Sequence, residues 1–197
     1  NKNNLKINSV IIDNSIFNIE FSDFKYFKDS FFKKIKNRKI YLNSSKFLIK
    51  NESKIITMID IEKSNLKFEK NSNKLIFNSN IFTTNFNGIL SNKFNKDQIF
   101  TKQLFFPDIG LSLKSISNSN KGQFKNTHGT TTIKVPKAKF KFKHFLSSEK
   151  FIISESKIES NHIRGSADAQ IIFDPFYFSI TSNLSKFNFI DFFSSNI

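Results

Sequence analysis

From Lys137 to Lys143, lysine alternates without interruption with Ala138, Phe140 and Phe142. Successive side chains of an extended strand point to opposite sides, so this heptapeptide sorts itself into a cationic face and an apolar one. A helix would scatter the same residues around its circumference. Just upstream, Thr131, Ile133 and Val135 keep the same period until Pro136 interrupts it. A chain dominated by this pattern folds as sheet with one dry face.

The period recurs along most of the 197 residues. Phe17, Ile19 and Phe21 alternate with Ile16, Asn18 and Glu20. Residues 45–50 and 55–61 read as short strands around the polar turn Asn51-Glu52-Ser53. Leu66 and Phe68 share a face, as do Leu75, Phe77 and Ile81 with Ser79 between them. Phe82, Thr84, Phe86, Gly88 and Leu90 continue the series, and Ile109, Leu111 and Leu113 open another strand. Phe151 pairs in direction with Ile153, and Ile171 with Phe173. Past Asp174-Pro175 the register resets, and Phe176, Phe178 and Ile180 carry the dry face.

Residues 22–36 depart from this rule. Phe24, Phe27, Phe31 and Ile35 follow three- and four-residue spacing, which predicts a short amphipathic helix capped by Ser22. A helix laid over one end of the sheet explains it without a partner, so that reading is preferred to a membrane-surface helix. A second helical turn is expected near 187–193. The polar stretches 90–103 and 117–130 read as loops, and none is a convincing linker, so one β-rich domain spanning 1–197 is expected.

Composition bounds the function classes. Hydrophobic residues are 38% of the chain, below the share of a compact globule, which argues against a thick closed core. Only 5 Gly and 3 Pro occur, leaving Asn, Ser and Asp to make the turns. The net charge is +15, yet the lysines are spread along the chain, and Lys, Asn, Ile and Phe share AT-rich codons. Nucleic-acid binding would need aromatics and lysines on one face. Alternation puts them on opposite faces, so no nucleic-acid partner is expected. The absence of Cys excludes disulfides and thiolate metal sites. No apolar run reaches the roughly 18 residues of a membrane-spanning helix.

A search for reactive groups yields little. His128, His144 and His162 lack a second ligand at metal spacing and read as solvated or turn residues. Asp168, in Gly165-Ser166-Ala167-Asp168, does not sit in a nucleophile elbow. With so few glycines there is no phosphate loop. The chain is therefore expected to be no enzyme, with no metal, no cofactor and no small-molecule substrate.

The strand series 36–42, 45–50, 55–61 and 64–68, followed by the apolar-x-Gly-x-apolar segment within 80–90, resembles the AsmA-like proteins of AT-rich bacteria. The ending is similar too: Gly165, the apolar strand around Ile171, then Pro175-Phe176-Tyr177-Phe178, Leu184 and the hydrophobic stretch from Phe187 to Phe193. The resemblance, to the TamB and YhdP group within that family, implies a fragment of a longer periplasmic protein anchored in the inner membrane by an upstream segment. It implies that phospholipid acyl chains are carried along a β-groove towards the outer membrane. The expected fold is mainly β: an elongated, strongly twisted antiparallel sheet curled into an open groove or partial barrel, with one or two short helices. The expected groove lining is Phe17, Ile19, Phe21, Leu66, Phe68, Leu75, Phe77, Phe86, Leu111, Leu113, Ile133, Val135, Phe140, Phe142, Phe151, Ile153, Ile171, Phe173, Phe176, Phe178 and Ile180. The alternative is a structural or adhesive β-sandwich with no ligand.

Overall fold

The computed structural model describes residues 7–20, 23, 37–94, 98–119 and 126–188. Among them the chain is mainly β, in one open sheet that does not close into a barrel. The strands are β1 (Ser9–Asp13), β2 (Ile16–Glu20), β3 (Arg38–Asn51), β4 (Lys54–Phe68), β5 (Ser72–Ile81), β6 (Thr84–Phe94), β7 (Gln98–Phe106), β8 (Leu111–Ser119), β9 (Thr127–Val135), β10 (Ala138–Leu146), β11 (Lys150–Ser160), β12 (Ile163–Phe173) and β13 (Phe176–Phe187). From β3 onwards each strand neighbours the next in sequence, while β1 and β2 both pair with β3. A 3-10 turn, Pro107–Ile109, precedes β8.

By contact density the chain forms two compact units, 1–95 with 100–108 and 96–99 with 109–197. In the first unit β1 and β2 run parallel to β3, which departs from an all-antiparallel sheet, while β3 to β6 form an antiparallel meander. In the second unit β8 to β13 form an antiparallel meander throughout.

Several segments differ from their sequence reading. Residues 90–94 and 98–103 are strand rather than loop, and so are 117–119 and 127–130; within the two polar stretches, 95–97 and 120–125 lie outside the described residues. Asn92, Gln98, Ser117 and Ser119 occupy buried positions of the sheet, so polarity there reflects the content of the face rather than solvent exposure. Residues 45–50 and 55–61 belong to strands of 14 and 15 residues. Phe187 ends a strand, and residues 189–193 of the expected second helical turn lie outside the described residues. Phe21 and the expected helix lie outside the described residues, apart from Asp23.

The long strands of the first unit stay on one face only because they are kinked together. Ser44 has φ 45° and Asn14 has φ 50°, both in the left-handed region. Leu42 pairs with Ser64 and Ser45 with Ile61, so residues three apart in β3 and in β4 fall on the same face. An extra residue in a strand has this effect: it shifts the side-chain phase by one. The break between β1 and β2 follows the same kink. Asn14 N–H donates to the Asn43 carbonyl at 3.1 Å, and Lys46 N–H donates to the Ser15 carbonyl at 2.8 Å.

The tight turns take residues that dislike them. Glu52 and Ser53 between β3 and β4, and Phe82 and Thr83 between β5 and β6, all have positive φ. A type I′ two-residue hairpin needs that conformation at both central positions, which favours Asn-Gly. Phe82 is 74% exposed and belongs to the turn, not to the dry face assigned from its sequence. A β-branched Thr83 in the left-handed region carries strain. Replacing the pair by Asn-Gly (F82N/T83G) is therefore expected to raise the unfolding free energy by about 1–2 kcal/mol in urea titrations. No gain, or a loss, would show that Phe82 has packing worth more than the strain.

Candidate functional site: the apolar face

Cross-strand partners share a face, so the registers locate the expected lining residues directly. In the first unit Phe17 and Ile19 sit beside Phe47 and Ile49. Leu66 faces Leu75, which faces Leu90; Phe77 lies between Ser64 and Gly88; Ser79 lies between Ile61 and Phe86; Phe68 faces Asn73, which faces Asn92. All belong to one face. Ring contacts tie it laterally: Phe17 lies 5.0 Å from Phe47, Phe77 lies 5.5 Å from Phe86, and Phe86 stacks on Phe106 at 5.6 Å.

The second unit repeats the arrangement. Leu113, Ile133, Phe140, Ile158, Gly165 and Leu184 make one row across six strands. The next rows on that face bring His144 beside Ile153, Ala169 and Ile180, and bring Phe151 beside Ile171 and Phe178. Phe173 faces Phe176, and Val135 faces Ala138. Phe142 packs at 4.8 Å from Phe140. Strand parity places Leu111 with Leu113. Every expected lining residue of this unit thus shares one face, and Lys139, Lys141 and Lys143 occupy the other. A bulge at Glu155, φ 47°, keeps Ile153 and Ile158 in phase. There the Ser156 hydroxyl accepts from the Ala167 N–H and donates to the Ala167 carbonyl, replacing the lost ladder bonds.

The segregation has exceptions. In the first unit Ile76 faces Ile89 on the side away from Phe77, and Met58 is exposed beside Leu48. In the second unit Phe145 faces Ile152, and Ile172 faces Tyr177, on the lysine-bearing side.

The face is far less greasy at its most enclosed points than the alternation suggests. Among the described residues the buried apolar side chains are Ile49, Ile61, Phe68 and Phe142. They are outnumbered by buried Ser, Thr, Asn, Gln and His, and Asn73 and Asn92 have no exposure at all. In the second unit, beyond Leu113 and Ile133, the face of β8 and β9 is built from Ser115, Ser117, Ser119, Thr127, Gly129 and Thr131, while that of β11 to β13 carries mostly Ile, Phe and Ala.

His144 stands between these two regions, and its reading as a solvated histidine is corrected: it is 8% exposed. Thr131 Oγ1 donates to Ser115 Oγ at 2.9 Å, so it accepts from His144 Nδ1 at 3.1 Å. His144 Nε2, 3.0 Å from Ser117 Oγ, then accepts that hydroxyl's proton. One neutral tautomer satisfies the whole chain of bonds, as a buried polar group requires. The signal was legible: Ala138, Phe140, Phe142 and His144 are in phase, and Ser115, Ser117 and Ser119 keep the same period. His128 lies on the opposite face, its ring 4.7 Å from that of Phe145.

Exposure changes steeply along the face. Phe142 is 6% exposed, whereas Phe178 on edge strand β13 is 62% exposed, and Phe176 and Ile180 resemble it. The interior strands are flanked on both sides; β13 has one described neighbour, β12. The result is a closed, partly polar interior leading to an open apolar margin. A separate cavity of about 260 Å³, lined by residues including Val10, Arg38 and Ile40, lies where β1 meets β3. Among the described residues no three His, Asp or Glu side chains converge as metal ligands would, and no helix is long and apolar enough to cross a membrane. No protein-family model matches the chain, and neither a curated protein nor a solved structure is similar to it at a significant level.

Proposed function

We propose that this chain is a non-enzymatic β-groove segment that shields phospholipid acyl chains, acting in the periplasm as part of a longer protein anchored to the inner membrane and serving outer-membrane biogenesis. One observation supports the lipid-holding step: on β12 and β13 a single face presents Phe173, Phe176, Phe178, Ile180 and Leu184 to solvent as a connected apolar strip. Hydrocarbon is the ligand such a strip suits, since each CH₂ removed from water is worth about 0.8 kcal/mol. Laying about ten methylenes on it with half their surface covered would gain roughly 4 kcal/mol, enough for a reversible hold. The transport route and the location rest on the likeness to AsmA-like proteins.

A second reading, a structural β-domain without ligand, draws on the enclosed points of each unit taken separately: Phe68, Asn73 and Asn92 in the first and Phe142 in the second are almost wholly removed from water. Native mass spectrometry of the protein purified from cells separates the two. The lipid reading expects adducts of phospholipid mass, and at least tenfold less bound lipid in a Phe178→Asp/Ile180→Asp variant. Adduct-free protein that also fails to take up a fluorescent phospholipid would leave the structural reading standing.

A further inference from the structure

The face opposite the apolar one is not merely polar. In the second unit the register sets like charges directly against each other: Lys134 faces Lys139, Lys141 faces Lys157, and Arg164 faces Lys186. Thr132, next to Lys141 in the same row, leads to Lys114 on β8. Directly opposed like charges destabilise a sheet, so a face that matters only for solubility has no reason to align them.

The local acids do not neutralise this surface. Glu155 pairs with Lys143, and Glu159 is shared between Lys157 and, at 3.9 Å, Lys139. Lys114, Lys134 and Lys141 have no carboxylate partner among the described residues. Hydrogen bonding and charge from Lys157 hold the Glu159 carboxyl below the usual carboxylate range, in keeping with a positive surrounding field. The first unit does the same independently. Lys39 faces Lys67, Lys67 faces Lys74, and all three lie on the side away from Leu66 and Leu75. Composition alone raises the number of lysines; it does not put them opposite one another in both units.

We infer that the lysine-bearing face of the second unit docks on an anionic lipid-bilayer surface. A counter-charged plane relieves all three opposed pairs at once, which a single small anion does not. The rows of Lys134, Lys139, Lys141 and Lys143 also carry Thr130, Thr132 and Ser154 and no aromatic ring on which a base would stack. The rings on that side, His128 with Phe145 and Tyr177 opposite Ile172, lie outside those rows. This surface is separate from the acyl-holding strip and does not depend on it.

The test is vesicle sedimentation of the whole chain at about 0.1 M salt, with phosphatidylglycerol-containing vesicles and with pure phosphatidylcholine vesicles. Lysines near an anionic surface contribute about fivefold each, so K114Q/K134Q/K141Q should bind anionic vesicles on the order of 100-fold more weakly. The variant removes repulsion and no ion pair, so its thermal midpoint at low salt should hold or rise, which separates lost docking from lost folding. Equal binding to neutral vesicles would assign the affinity to the apolar strip and overturn the inference. So would unchanged binding by the variant, or tighter binding to single-stranded RNA than to anionic vesicles.

Discussion

Phe142→Ala is expected to lower the unfolding free energy by about 3–4 kcal/mol, while Phe178→Ala costs under about 1 kcal/mol. The two residues have the same chemistry and the same face of the second unit. They differ in what surrounds them. Phe142 stands between β9 and β11, packs 4.8 Å from the Phe140 ring and edge-on to His144, and is almost wholly removed from water. Truncating it forfeits the transfer energy of the ring and leaves a cavity under His144 that rigid neighbouring strands cannot fill. Phe178 has β12 on one side, faces Ile171, and is mostly solvated. Truncating it removes little buried area, so it destabilises little. Urea titrations with an unchanged denaturant slope would measure both values on one scale. An equal cost for Phe178→Ala would mean that the β13 strip is covered in solution, and the proposal of an open lipid-holding surface would fall with it.

The same contrast shows what the sequence could and could not reveal. Alternation reports which side a residue takes, because that depends only on strand geometry. Within single strands it paired Phe140 with Phe142, Phe151 with Ile153, and Ile171 with Phe173; that these pairs share a face from strand to strand comes from the registers. It says nothing of how deeply a residue is enclosed, which depends on flanking strands contributed from elsewhere in the chain. The polar stretches were misread for a related reason. Ser115, Ser117 and Ser119 alternate as regularly as Lys139, Lys141 and Lys143, but a hydropathy pattern has no contrast when the buried partner is serine. Kinks were invisible too. Ser44 and Glu155 carry left-handed φ values without glycine, and nothing in their neighbourhood announces a shift of phase. The gathering of cations was hidden because lysines distant in sequence, such as Lys141 and Lys157, meet only through the register.

Gly129→Ala is expected to cost about 2–3 kcal/mol, and shortening its neighbour should not restore it. An alanine in a strand would ordinarily help, by narrowing the unfolded ensemble relative to glycine. At Gly129 the folded state forbids it. A Cβ there would lie 2.3 Å from the Ile116 carbonyl oxygen and 2.7 Å from Cε1 of the His144 ring. The ring could turn away, but the carbonyl belongs to β8, paired to β9 through Ser117 and its neighbours, so relief means parting two strands. Gly88 offers the control. The three atoms nearest its Cβ would all belong to the Phe77 ring. In that case a second substitution, Phe77→Leu, should recover much of what Gly88→Ala loses. His144→Ala, by contrast, should add its own cost to Gly129→Ala, because Ser117 and Thr131 would lose the ring that joins them. Paired denaturation cycles read the two couplings directly. Recovery at Gly88 and none at Gly129 is the expected outcome. Recovery at both would mean that β8 and β9 have room to separate, and that the serine-rich part of the face is looser than its burial implies.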